Sequence, residues 1–222
     1  KMKELTKIKY WLFDLDNTLY SGQTKVFDQV DKKMSSYISK KLNIPVEEAK
    51  KIQKEYFHKY STTLSGMMKH HNIDANEFLE FVHDVNLDFL KQDKELEIEI
   101  SRIKGKKIIF TNGSYNHAIK VLKKVGILNY IDNIFDIVDA EYLPKPNLIT
   151  YKKVVKKFDL NCENTIMIDD LPNNLKTAKK LGMMTVLIKK EFYETNSYSY
   201  IDIVKPNLSQ TLEHIYKGIF DE

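Results

Sequence analysis

Ile8-Lys9-Tyr10-Trp11-Leu12-Phe13-Asp14-Leu15-Asp16-Asn17-Thr18-Leu19-Tyr20 is the stretch on which the fold turns. From Ile8 to Leu15 it is apolar, β-branched and aromatic, and Asp16-Asn17-Thr18 closes it abruptly, which predicts a buried strand running into a polar loop. The period then changes. From Thr24 to about Lys91 the pattern is helical, with Val26, Val30, Met34, Tyr37, Ile38 and Leu42 recurring at helical steps. Pro45 with Glu47 and Glu48 starts one helix and Asp74 before Glu77-Phe78-Leu79 starts another. No strand pattern interrupts this block.

After a charged helix ending near Gly105 the strand period returns at Lys106 to Thr111. Asn112-Gly113-Ser114 then opens a helix that runs through Ala118, Val121, Leu122 and Val125 to a Gly126 cap. Further strands are predicted at Ile134 to Val138, Thr165 to Ile168 and Met184 to Ile188, with helices at Leu148 to Phe158 and Leu175 to Leu181. A late edge strand, Ile201 to Val204, and a closing helix, Leu208 to Ile215, complete the pattern. Strands alternating with helices predict a parallel sheet covered on both faces. The fold class is therefore α/β, a Rossmann-like parallel sheet core with an inserted all-helical cap domain. Residues 1–20 and 92–222 would form the core and residues 21–91 the cap. Ligands of open α/β sheets bind beyond the carboxyl ends of the strands, so an insertion there would sit over the site.

The composition fits a folded globular chain: 222 residues, 42% hydrophobic and 30% charged, with 7 Gly and 5 Pro. A net charge of +4 raises nucleic acid as a partner. Arg102, however, is the only arginine among 35 basic side chains, and lysine lacks the planar fork that reads phosphate or guanine bidentately. A lysine-solvated surface is expected instead, with no nucleic-acid polymer as partner. Cys162 is the only cysteine, so neither an intrachain disulfide nor a cysteine metal cluster can form. No stretch approaches the ~20 apolar residues that span a bilayer, and Asp14 and Asp16 cut the first apolar run too early for a signal peptide. A cytoplasmic protein without a membrane partner is expected, with a monomer favoured.

Four polar groups fall at equivalent places, each just past the C-terminal end of a predicted strand: Asp14 with Asp16, Thr111 with Asn112, Lys145, and Asp169 with Asp170. A parallel sheet gathers them at one edge. Clustered carboxylates hold protons unless a cation neutralises them, and hard oxygen donors favour Mg²⁺. In such a site one carboxylate can attack phosphorus, and the second aspartate can protonate the leaving oxygen and later activate water. The Thr111 hydroxyl, backbone N–H groups at the following helix N-terminus and Lys145 can hold phosphoryl oxygens.

Asp14-Leu15-Asp16-Asn17-Thr18-Leu19-Tyr20, Thr111-Asn112-Gly113-Ser114, Lys145-Pro146 and Asp169-Asp170-Leu171-Pro172-Asn173-Asn174 resemble the four ordered motifs of the haloacid dehalogenase superfamily, over nearly the whole chain. The helical insertion resembles the C1 cap of its subfamily I. The resemblance implies that Asp14 is the nucleophile, Asp16 the general acid/base and a metal ligand through its backbone carbonyl, and Thr111, with Asn112 and Gly113, the phosphate-binding group. It further implies that Lys145 steadies nucleophile and phosphate, and that Asp169 and Asp170 bind the metal with Asp14. Leu171 stands where many relatives have Ser, and Asn174 is the candidate for supporting the metal from behind. The run Asp-Leu-Asp-Asn-Thr-Leu-Tyr is similar to the pyrimidine 5′-nucleotidase-like branch.

The implied function is a Mg²⁺-dependent phosphomonoesterase acting through an aspartyl-phosphate on a small phosphorylated metabolite, such as a pyrimidine nucleoside 5′-monophosphate. A sugar phosphomutase or a phosphoglycolate-type phosphatase shares the motifs, and a phospho-accepting receiver-like module shares the residue types but places its acidic pair first. Dehalogenation is disfavoured because a leaving halide needs no acid from Asp16. Other conspicuous residues read as structural. Adjacent His70 and His71 do not share a helix face, Tyr56, Phe57, Tyr60, Met67 and Met68 read as cap core, and Cys162 as an unactivated thiol. Gly22 is a candidate hinge, with Gly22 to Phe27 expected to face the site.

Overall fold

The computed structural model describes residues 5–190 and 198–220. Six parallel strands form one sheet: β1 (Tyr10–Phe13), β2 (Lys106–Phe110), β3 (Asn133–Phe135), β4 (Thr165–Asp169), β5 (Met184–Ile188) and β6 (Ile203–Lys205), in the order β3-β2-β1-β4-β5-β6. The chain builds outward from β1 on one side and then returns to build outward on the other, so the topological switch lies between β1 and β4. The α/β parallel architecture is as the periodicity predicts. The ladder at β1 is shorter than the apolar run, because Ile8 and Lys9 precede it and Asp14 ends it; β3 and β6 are likewise short edge or near-edge strands. The fourth strand extends to Asp169, and the helix after it starts at Pro172, earlier than the apolar pattern suggested, since proline is pre-organised for a first helical turn.

Both faces of the sheet are covered. Trp11, Phe13, Ile109, Ile166 and Ile168 point to one side, where α5 (Lys94–Arg102), α6 (Tyr115–Val125) and α9 (Leu208–Phe220) supply Leu96, Ile100, Ala118, Leu122 and Leu212. Leu12, Ile108, Phe110 and Met167 point to the other, against α7 (Leu148–Phe158) and α8 (Pro172–Lys180). This alternation is the two-residue period of a strand buried on both faces.

Between β1 and β2 the described residues hold no strand: a short turn of 3-10 helix leads into a helical block of α1 (Val26–Leu42), α2 (Val46–Tyr60), α3 (Thr63–His71) and α4 (Ala75–Val82), and α5 follows before β2. Asp74 caps α4 by accepting from the Glu77 N–H, as its position predicts. The helical block packs α1 on α2 and α4, and α2 on α3. Gly66 in α3 lets the Tyr56 ring of α2 approach so closely that a Cβ there would stand 2.3 Å from it. The block's own core of Tyr37, Ile38, Met67, Phe78 and Leu79 is continuous with the second face of the sheet. Among the described residues no helix is long and apolar enough to cross a membrane.

Candidate active site

The register brings the motif residues together. Phe13 lies opposite Ile109 on β2 and Ile168 on β4, and the Asp14 N–H still donates to the Ile168 carbonyl at 2.9 Å. Asp14 is thereby carried level with Asp169, while Thr111 follows the end of β2 with its N–H on the Phe135 carbonyl.

Lys145 is the electrostatic centre. Its side chain is 1% exposed, and its ammonium donates to Asp14 Oδ1 at 2.9 Å, Asp169 Oδ2 at 2.9 Å and the Phe110 carbonyl at 2.7 Å. All three N–H donors are used, so the group is buried with full hydrogen bonding rather than as a bare charge. Burial would lower its pKa, but Asp14 and Asp169 outweigh burial and hold it above the ordinary lysine value. The loop carrying Lys145 is fixed by Asn112, whose Oδ1 accepts from the Lys145 N–H at 2.8 Å and whose Nδ2 donates to the Lys145 carbonyl at 3.2 Å. The side chain of Asn112 therefore grips the Lys145 backbone rather than facing a phosphate, which leaves its backbone N–H for that purpose. The Gly113 N–H donates to Thr111 Oγ1 at 2.9 Å.

Asp14, Asp169 and Asp170 offer carboxylate oxygens that all lie within 4.8 Å of one another. Asp169 is fully engaged: Lys145 and the Leu171 N–H reach it, and Asn174 Nδ2 donates to both its oxygens at 3.0 Å. Asn174 thus stands where its candidate supporting role requires, behind the acidic pair, and Asp170 is left as the freer carboxylate. Burial, reinforced by Asp169 and Asp16 against the pull of Lys145, pushes Asp14 up to about 7. Burial, with Asp14 and Asp169, pushes Asp170 up to about 8. An all-oxygen donor set that resists ionisation without a cation fits a hard divalent ion.

The Asp16 carboxylate stands apart from this cluster. Tyr20 OH donates to its Oδ1, and His117 Nε2 lies 2.8 Å from the same atom. Burial opposes ionisation, but His117 and the hydrogen bonds from His117 and Tyr20 overcome it and hold Asp16 at about 2. Both donors fall on Oδ1, so the Asp16 carboxylate has one oxygen engaged away from the metal cluster. Burial and Asp16 push the Tyr20 hydroxyl well above the tyrosine range, so it stays a donor. Thr18 Oγ1 donates to Asp14 Oδ2 at 2.9 Å, fixing the second oxygen of that carboxylate.

These groups open on a cavity of about 630 Å³. The sheet edge contributes Asp14, Asp16, Thr111, Lys145 and Asp170, and the helical block contributes Phe27, Met34, Gln53, Phe57 and His83. From Gly22 to Phe27 only Phe27 lines it, so most of that segment does not face the site as expected; Gly22 instead lies against Asn17. Phe57 is 45% exposed at the cavity wall rather than in the helical core, whereas Met67 is fully buried. Tyr60 and Met68 line a separate cleft, and His70 and His71 pair with the hydroxyls of Tyr60 and Tyr56. Burial raises the Cys162 thiol pKa, in keeping with an unactivated thiol.

Sequence reasoning missed His117 and His83. His117 occupies the buried face of α6, three residues after the Ser114 cap, so helical period alone makes it a core position. His83 follows α4, stacks on His117 with ring centroids 4.3 Å apart, and shares a 3.0 Å hydrogen bond with Ser114 Oγ. Burial, then His117, holds His83 down at about 3, so it is neutral.

The family profile of the haloacid dehalogenase-like hydrolases matches residues 8–182. Phosphate metabolism protein 8 of Saccharomyces cerevisiae is 29% identical over 87% of this chain, which spans 65% of that protein's length. Glyceraldehyde 3-phosphate phosphatase of Methanocaldococcus jannaschii is 28% identical, over 96% of this chain and 98% of that one. Among solved structures, a HAD phosphatase from Thermococcus onnurineus superposes with a TM-score of 0.63 at 19% identity, covering 95% of this chain and 99% of its own. The magnesium-bound putative HAD-hydrolase YfnB from Bacillus subtilis gives 0.61 at 16%, covering 94% and 98%.

Proposed function

We propose, on the premise that this chain belongs to the haloacid dehalogenase-like hydrolases, that it is a Mg²⁺-dependent phosphomonoesterase with Asp14 as nucleophile. The observation that carries this reading is the Lys145 ammonium bonded at once to Asp14 and Asp169 in a carboxylate cluster at the mouth of one cavity. Asp14, Asp170 and the Asp16 backbone carbonyl would hold the cation, with Asp169 and Asn174 behind them. When bound, Mg²⁺ supplies charge compensation between the substrate dianion and the carboxylates.

The chain's own groups divide the reaction. Lys145 and Thr18 orient Asp14 so that one oxygen can attack phosphorus. Thr111 and the N–H groups opening α6 receive the phosphoryl oxygens. With substrate bound, a proton carried on Asp16 Oδ2 passes to the departing alkoxide, and the carboxylate left behind then takes one from the water that hydrolyses the aspartyl-phosphate.

The helical block serves as a cap that selects the leaving group. Phe27, Met34 and Phe57 present flat or adaptable apolar surface beside the polar Gln53, a wall suited to a base and sugar. A nucleoside 5′-monophosphate, pyrimidine in particular, uses that wall, whereas a triose phosphate would fill a small part of about 630 Å³. The test is phosphate release from a panel of nucleotides, sugar phosphates, glyceraldehyde 3-phosphate and phosphoglycolate, with and without Mg²⁺. Asp14→Asn is expected to abolish release while leaving the fold intact; turnover at the wild-type rate would remove Asp14 as nucleophile. Isomerisation of a sugar phosphate without net release would identify a phosphomutase.

A further inference from the structure

Asp16 is held by two donors on one oxygen. Tyr20 OH and His117 Nε2 both reach Oδ1, so Oδ2 is left for the cavity that Asp16 lines. The His117 side chain is fully buried on α6, and its Nδ1 is buried without a hydrogen-bond partner. Nε2 is therefore the one ring nitrogen with a hydrogen-bond partner, and against a carboxylate oxygen it serves as the N–H donor. The His83 ring lies parallel over this imidazole, interplanar angle 10°, and is anchored by Ser114, the residue that caps α6. His83 belongs to the connection leaving α4, so the helical block closes the chamber in which His117 is held.

We infer that His117 is the positioning residue for Asp16 in breakdown of the phosphoenzyme. This rests on the reading of Asp14 as nucleophile and Asp16 as acid/base. In that step the oxygen of water bonds to phosphorus while its proton passes to Asp16 Oδ2. The bond between phosphorus and the Asp14 oxygen breaks, its electron pair returns to the Asp14 carboxylate, and orthophosphate leaves. A carboxylate that accepts on Oδ1 from two fixed donors keeps Oδ2 aimed at the cavity for this transfer. Formation of the phosphoenzyme from an aryl phosphate needs little proton donation, because a nitrophenolate leaves unaided. Loss of His117 therefore falls on the second half of the reaction.

The experiment is rapid-quench and steady-state kinetics of His117→Phe on p-nitrophenyl phosphate with Mg²⁺. Expected are a kcat lower by about tenfold or more, a KM lower in parallel so that kcat/KM is retained, and a burst approaching one nitrophenolate per active site. His117→Gln, whose amide N–H can reach the same oxygen, is expected to recover most of kcat and abolish the burst. A fall in kcat/KM matching that in kcat, without a burst, overturns the inference, because damage that is merely structural slows both halves. Should His117→Phe not fold, ¹⁵N–¹H correlation spectra of the unmodified protein decide: a proton on Nε2 is required, and an Nε2 without a proton overturns the inference. Wild-type protein that releases no phosphate from any phosphomonoester would instead overturn the underlying reading.

Discussion

Removing divalent cations makes the stability of this protein depend on pH in an unusual direction for carboxylates. Asp14 and Asp170 are pushed up from 3.8 to about 7 and about 8, burial being the main cause in each. A carboxyl whose folded pKa is raised stabilises the fold fully below its unfolded pKa, and this contribution is lost as pH rises through the folded value. Between pH 8.5 and 6.5 the unfolded chain keeps both groups ionised while the native chain takes up protons. Proton linkage over that interval gives roughly 3 kcal/mol of added stability at pH 6.5, treating the two groups as independent. At roughly 2–4 °C per kcal/mol for a chain of this size, Tm should rise by about 6–12 °C.

Other groups set the limits of the window. Asp16, held at about 2, contributes stability that is fully present above 3.8, so it is constant throughout. His83, held at about 3, contributes stability present above 6.5 and declining below it, because the unfolded chain then binds a proton that the native ring refuses. Below pH 6.5 the one proton refused by His83 offsets only part of the two taken up by Asp14 and Asp170, so stability goes on rising with a smaller slope until the unfolded carboxylates also protonate, at about pH 4. Saturating Mg²⁺ at pH 8.5 takes over the neutralising role and should raise Tm there, flattening the slope. The assay is differential scanning fluorimetry at pH 8.5, 7.5 and 6.5, in chelator and in Mg²⁺, on wild type and Asp170→Asn. A chelated wild-type Tm that stays level or falls from pH 8.5 to 6.5 would refute the reasoning, as would an Asp170→Asn slope equal to that of wild type.

Three substitutions test the supports of the site. Lys145→Met leaves Asp14 and Asp169 buried without their cation, so chemical denaturation at pH 8.5 should show a loss of about 3–5 kcal/mol, with a smaller loss at pH 6.5, and phosphate release should vanish. Asn174→Ala removes two hydrogen bonds to Asp169, and isothermal titration should find Mg²⁺ bound about 10–100-fold more weakly; unchanged affinity would separate Asn174 from the metal site. Gly66→Ala forces a methyl into the Tyr56 ring and should cost about 1–3 kcal/mol by denaturation; the catalytic groups are untouched, so the rate of an aryl phosphate at low temperature should change little.

What the sequence by itself determined is the strand-end chemistry. Asp14, Thr111, Lys145, Asp169 and Asp170 each stand at or beyond a strand that periodicity identifies, and a parallel sheet delivers strand ends to one edge. The helical block was equally legible, from apolar residues at helical steps and caps such as Asp74. The tertiary structure decided which atoms meet. Asn112 lies in the phosphate motif, yet its side chain closes on the Lys145 backbone, a pairing across 33 residues. His117 carries no signal beyond a place on the buried face of α6, and only the docking of β1 beside β2 brings it to Asp16, 101 residues away. His83 reaches the same place from the helical block. Local periodicity encodes which face of an element is buried, but hydrogen-bond partners far apart in sequence are chosen by strand register and helix packing. No pattern within a window of twenty residues carries that information.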